Sequence, residues 1–115
     1  MTFNQRKGEF VNITASGTDG VTATPIPSLA DTTVALVSSD IGANGVRLPE
    51  GSVGDVIEII VVNLGTGGPG SEVYVYHPDM GSFLGSIPGG MTTFRRLPDS
   101  GGSISWTMIS RIVNL

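Results

Sequence analysis

The side chains that could do chemistry in this chain are few and scattered. His77 is the one histidine. It stands before Pro78, at the end of the alternating stretch Glu72-Val-Tyr-Val-Tyr-His77. A nucleophilic Ser or Thr needs a base and a carboxylate to orient it. His77 is the sole conventional base, and no serine stands in a Gly-x-Ser-x-Gly elbow. As a metal ligand it would need carboxylates brought from afar, and no ligand spacing surrounds it. With these neighbours it reads as a surface or turn residue.

Of the ten Asp and Glu residues, Asp19, Asp31, Asp40, Glu50, Asp55, Glu58, Glu72, Asp79 and Asp99 stand singly along the chain beyond the N-terminal stretch. Glycoside hydrolysis needs two of them facing each other, and a calcium loop needs alternating Asp/Asn ligands; the spacing suggests neither. Gly65 to Gly70, GTGGPG, has the glycine content of a phosphate cradle. It lacks the Lys-Ser/Thr and the helix that should follow, so it reads as a hairpin loop. The chain has no cysteine, which excludes disulfides, thiol chemistry and Cys-zinc sites. The expectation is no catalytic residue, no metal and no cofactor.

What remains is recognition chemistry. Glu58 lies inside an apolar run, where an unpaired buried carboxylate would be costly. It therefore calls for a solvent-facing slot or an arginine partner from among Arg47, Arg95, Arg96 and Arg111. Arg95 and Arg96 are adjacent in a strand, so they point to opposite faces. Tyr74 and Tyr76 share one strand face and suit a core or a protein contact. Arg6 and Lys7 are adjacent cations in a polar N-terminal stretch. The candidate protein-interface residues are thus Arg6, Lys7, Glu58, Tyr74, Tyr76, Arg95, Arg96 and Arg111.

These residues are positioned by short strands. Val46 to Gly65, VRLPEGSVGDVIEIIVVNLG, holds the longest apolar run. From Asp55 to Asn63 it sets Ile57, Ile59 and Val61 on one side and Val56, Ile60 and Val62 on the other. A strand apolar on both faces belongs in the middle of a sandwich or at a subunit contact. Other strands are expected over Glu9–Thr14, Val21–Thr24, Thr32–Ser38, Val46–Leu48, Glu72–His77, Ser82–Ile87, Met91–Leu97 and Ser103–Val113. Pro25 and Pro27 confine Thr24–Ala30 to an edge or a crossing. The parity change along Ser103–Val113 implies a bulge near Met108 or two exposed faces. Pro98 is expected to stop the strand before it. The fold class is all-β: an antiparallel β-sandwich, jelly-roll-like, of about eight or nine short strands with no significant helix. Residues 1–8 form a polar arm and 9–115 a single domain.

Composition agrees. Only 14% of the 115 residues are charged, against about 25% in an ordinary domain, so neutral surface is left for a partner to cover. The net charge of −4 argues against nucleic acid, whose binding needs a Lys/Arg footprint, and against an anionic membrane. No signal peptide and no membrane-spanning run is visible.

One longer pattern remains. It runs apolar-x-Leu-Pro, Gly-Asp, an apolar strand ending in Asn, then apolar-Tyr-x-Pro-x-x-Gly, Ile and Gly. It spans Val46 to Gly90, through VYVYHPDMGSFLGSIPGG, with SISWTMI following. The pattern is similar to small β-domains of tailed-bacteriophage structural proteins, and looks most like capsid decoration (cement) proteins. The resemblance implies a non-enzymatic, short, all-β chain, usually a homotrimer. Such a protein is made in the host cytoplasm and sits on the virion's capsid surface, bridging subunits of the major capsid protein. No family residue list carries over. The arm around Arg6 and Lys7, and Arg111 to Leu115, are candidates for the capsid contacts. Another reading is a receptor- or glycan-binding fibre or tail domain using Tyr74, Tyr76 and Trp106. A third is a hydrolase with an unrecognised carboxylate pair.

Overall fold

Val, Ile, Thr and aromatic residues fill each alternating stretch, and Gly, Pro, Asp and Ser separate them, so strands form and helices do not. In the computed structural model the described residues are 8–17, 19–38, 44–63, 73–78, 83–87 and 90–112, with backbone alone at 8, 63, 83–87, 111 and 112. They form nine strands: β1 Gly8–Thr14, β2 Thr24–Pro25, β3 Thr32–Ser38, β4 Gly45–Arg47, β5 Val56–Asn63, β6 Val73–Tyr76, β7 Phe83–Ile87, β8 Gly90–Ser100 and β9 Ser103–Ile112. No helix occurs among the described residues.

The strands make two sheets, one of order β1-β3-β5-β8-β9 and one of order β2-β4-β6-β7. From β1 to β6 the chain alternates between them. Its neighbours within each sheet are therefore parallel: β1 with β3, β3 with β5, β2 with β4 and β4 with β6. Gly8 pairs with Thr32, and Thr32 with Val56, steps of 24 residues each. The first two-thirds of the chain thus winds as the coils of a solenoid do. After β6 the direction reverses, and β6–β7, β5–β8 and β8–β9 are antiparallel.

This corrects the expectation of an antiparallel fold; both sheets are mixed. The physical reason is that turn formers look alike whether a chain doubles back beside its own strand or crosses to the opposite sheet. The Ser16–Gly20 region leads across, not back. A second correction concerns β8, which runs through Pro98 to Ser100. Pro98 lies where the β8–β9 register shifts, between Leu97 and Ser100, and at such an irregularity its missing N–H costs no ladder bond. The bulge expected near Met108 is present: Thr93 pairs with Ser110 and Phe94 with Met108, leaving Ile109 as the extra residue.

One core serves both sheets. Ile13, Ala35, Val37, Ile57, Ile59, Phe94 and Trp106 come to it from the larger sheet, and Val46, Val73 and Val75 from the smaller. β5 is the middle strand of five, as its two apolar faces require. Ile57 and Ile59 are fully buried on the core side. β3 is less regular in its chemistry. It presents Thr33, Ala35 and Val37 to the inside. Its Val34 and Leu36 therefore point outward.

Candidate interaction surface

Three arrangements of side chains stand out. The first locks the C-terminal strands onto the second coil. Successive coils share an apolar-Pro step, Ile26-Pro27 and Leu48-Pro49, and a Ser-apolar-small-Asp step, Ser28-Leu29-Ala30-Asp31 and Ser52-Val53-Gly54-Asp55. Between the two steps the second coil carries Glu50 and Gly51, which the first lacks. Arg96 and Trp106 dock on that insertion. Arg96 Nε donates to the Glu50 carbonyl at 2.7 Å. Trp106 Nε1 donates to the Pro49 carbonyl at 2.9 Å. Gly51, at φ 60°, lies against the indole: a Cβ there would sit 3.1 Å from Trp106 Cζ2. Asp55 closes the loop by accepting from Ser52 N at 2.8 Å and Ser28 Oγ at 3.0 Å.

The second arrangement covers the outer face of the smaller sheet. Arg47 Nη1 donates to the Gly20 carbonyl at 3.0 Å. Asp19 Oδ1 accepts from Val21 N and Thr22 N, at 3.0 and 2.9 Å, and from the Thr22 hydroxyl at 2.9 Å. The backbone and hydroxyl bonds from Thr22 hold the Asp19 carboxyl below its ordinary pKa. Tyr76 is buried beside this loop. Burial first, then the charges of Asp19 and Tyr74, push its phenol above its ordinary value. Gly45 is obligatory here, since a Cβ would meet the Ser16 carbonyl at 2.8 Å and the Tyr76 ring at 3.2 Å.

The third arrangement is the outward face of the larger sheet. Register places Phe10, Val34, Glu58, Thr93 and Ser110 in one row across all five strands. Asn12, Leu36, Ile60 and Met91 form the next row, and Thr32, Val56, Arg95 and Thr107 the row on the other side. Paired residues share a face, so Glu58 and Arg95 are diagonal neighbours on it. Arg95 is exposed and Glu58 half-buried. Neither has an ion-pair partner among the described residues.

The candidate residues therefore separate. Glu58 and Arg95 come together on one surface. Arg96 does not join them, because it points inward, is 6% exposed, and is held by Glu50, by the Leu97 carbonyl and by an ion pair with Asp99 at 2.7 Å. Tyr76 likewise is covered by its own chain, while Tyr74 is half-buried. As interface residues, Arg96 and Tyr76 are corrected to internal supports. Arg111 pairs with Thr92 through the backbone of β9; Arg6 and Lys7 lie outside the described residues. Trp106, offered for glycan stacking, is 4% exposed and belongs to the core. His77 is half-buried beyond β6, and its Nδ1 has no hydrogen-bond partner among the described residues. Among the described residues no group of three or more His, Asp or Glu could hold a metal.

Compared with known protein families, with curated proteins and with solved structures, the chain finds no match.

Proposed function

We propose that this chain is a non-enzymatic structural protein of a tailed-bacteriophage virion, which decorates the capsid and stabilises it by bridging subunits of the major capsid protein. The reading starts from the Val46–Gly90 pattern and its likeness to decoration proteins. The observation that carries it furthest is the outward face of the five-stranded sheet. A pleated surface bearing the half-buried Leu36, Val56 and Ile60 around a single acid–base pair, with Phe10 and Val62 exposed at its margins, is suited to lying against protein. The bonds of Arg96 and Trp106 to the Pro49–Asp55 loop fix β8 and β9 of that sheet in place, and a surface ordered in advance pays less on association.

In this reading the two sheets are the layers of a β-sandwich. The jelly-roll comparison fits less well, since jelly rolls are built from antiparallel Greek keys and β1-β3-β5 run parallel. The protein acts as a homotrimer on the capsid surface, where closed symmetry stops runaway association. Weak contacts from each copy then multiply by avidity. The rival receptor- or glycan-binding reading has less to work with, because Tyr76 and Trp106 are buried.

The test is co-sedimentation of the purified protein with expanded empty capsids, alongside a glycan array. Binding to capsids with a silent array supports the proposal. Glycan binding without capsid binding replaces it with the fibre-domain reading.

A further inference from the structure

We propose that the outward face of the five-stranded sheet is where this chain packs against a second copy of itself, with Glu58 of one copy facing Arg95 of the next. The inference rests on the self-association part of the reading above, and names the surface and the ion pair that carry it.

A sheet with one solvated face alternates apolar inside with polar outside. Here the alternation fails on the larger sheet. Val34 and Leu36 of β3 point out, Val34 6% exposed and Leu36 half-buried, while the smaller Thr33 and Ala35 point in. Val56 and Ile60 of β5 and Met91 of β8 extend the same face in register. At its margins Phe10 is 67% and Val62 56% exposed. The face is thus apolar, closely packed at its centre and open at Phe10 and Val62, and exposed apolar surface at such margins marks a contact.

The charges on the face say what covers it. Glu58 and Arg95 are diagonal neighbours of opposite sign, each without an ion-pair partner among the described residues. A partner surface of one sign would satisfy one of them and repel the other. The face of an identical chain satisfies both, because each copy supplies the acid for its neighbour's base and the base for its neighbour's acid. Closed symmetry repeats the same pairing at every contact. The half-buried Glu58, flanked in register by Val34 and Thr93, then gains a cation as water leaves. A charge pair desolvated in this way sets register and specificity.

The experiment is light scattering and sedimentation velocity on the full chain and on four variants: Glu58→Arg, Arg95→Glu, the double Glu58→Arg/Arg95→Glu, and Ile60→Asp. Circular dichroism and melting curves establish that each is folded. The wild type is expected to be an oligomer at micromolar concentration. Each single reversal and Ile60→Asp should weaken association by about tenfold or more, and the double reversal should restore it. A monomeric wild type at high micromolar concentration overturns the proposal. So does an oligomer that survives every folded variant, or a double reversal no better than the singles. The two readings fail separately. An oligomer obeying these rules that ignores capsids removes the virion function and leaves this face. A monomer that binds capsids does the reverse.

Discussion

Trp106 donates its indole N–H to the carbonyl of Pro49, 57 residues earlier in the chain, at 2.9 Å. That bond ties the last strand to the loop between the two sheets, with the ring packed on Gly51 and 4% exposed. Proline offers only its carbonyl, and no described hydrogen bond other than the indole's reaches it. Trp106→Phe keeps most of the apolar contact and loses the donor, so it should cost about 1–3 kcal/mol. Trp106→Ala should cost about 3–5 kcal/mol. Urea denaturation followed by circular dichroism measures both. Trp106 is also the only tryptophan, so native emission should resist aqueous quenchers until the transition begins.

Arg96 is the partner of that anchor, and its three contacts are unequal. The bonds to the Glu50 and Leu97 carbonyls lie inside. Asp99 is 57% exposed, and exposed ion pairs contribute about 0–1 kcal/mol. Arg96→Lys cannot reproduce the planar fork and should lose about 1–3 kcal/mol. Asp99→Asn should lose less than about 1 kcal/mol. Calorimetric melting of the two variants decides the point; equal losses would mean that the Asp99 ion pair supports Arg96 as much as its two carbonyl bonds do.

How much of this was legible follows from the distance over which each signal acts. Strand identities are local: alternation gives Thr32–Ser38 with the observed bounds, and the parity change along β9 points to a bulge near Met108, where Ile109 is the extra residue. Strand direction is not local. The parallel winding does leave a mark in the repeated Ser-apolar-small-Asp step, Ser28–Asp31 and Ser52–Asp55, 24 residues apart like the β1-β3-β5 register. A search for internal periods finds it; a search for hairpin turns passes over it. Arg95 and Arg96 separated to opposite faces, as adjacent strand residues must. Arg96 shares the parity of the buried Phe94 and so faces inward; that it meets the Glu50 carbonyl there, 46 residues away, is not local. For Tyr76 the VYVY stretch leaves core and protein contact both open, because nothing in it announces the Asp19–Thr22 loop that comes to lie beside the ring.

Thr92 supplies a prediction of the opposite sign. It is fully buried on the core side of β8, and its hydroxyl has no hydrogen-bond partner among the described residues. An orphaned buried hydroxyl costs about 1–3 kcal/mol. Valine has nearly the same shape and no such requirement, so Thr92→Val should raise stability by about 1 kcal/mol and lift the melting temperature by a few degrees. Calorimetry at fixed pH reads it directly. A lower melting temperature would reveal that the hydroxyl has a polar partner in solution.

Asp19 and Tyr76 make the pH dependence of the fold separable at its two ends. The folded carboxyl of Asp19 lies below its ordinary value, chiefly because Thr22 donates to it from backbone and hydroxyl. Its contribution is therefore present above the ordinary aspartate range and lost as pH falls through the folded value. Asp19→Asn keeps an acceptor oxygen for Val21 and Thr22 but cannot titrate, so this part of the acid limb should flatten in urea midpoints measured as pH is lowered. Tyr76 moves the other way. Burial, then Asp19, then Tyr74 favour its neutral phenol. Its contribution is complete below the ordinary tyrosine range and lost as pH rises through the folded value. Because Asp19 is one of the causes, Asp19→Asn should also bring the Tyr76 phenolate absorbance in at a lower pH than in the wild type. Spectrophotometric titration reads that second effect independently of stability. If the acid limb flattens while the phenol does not move, the loop and Tyr76 are not electrostatically coupled.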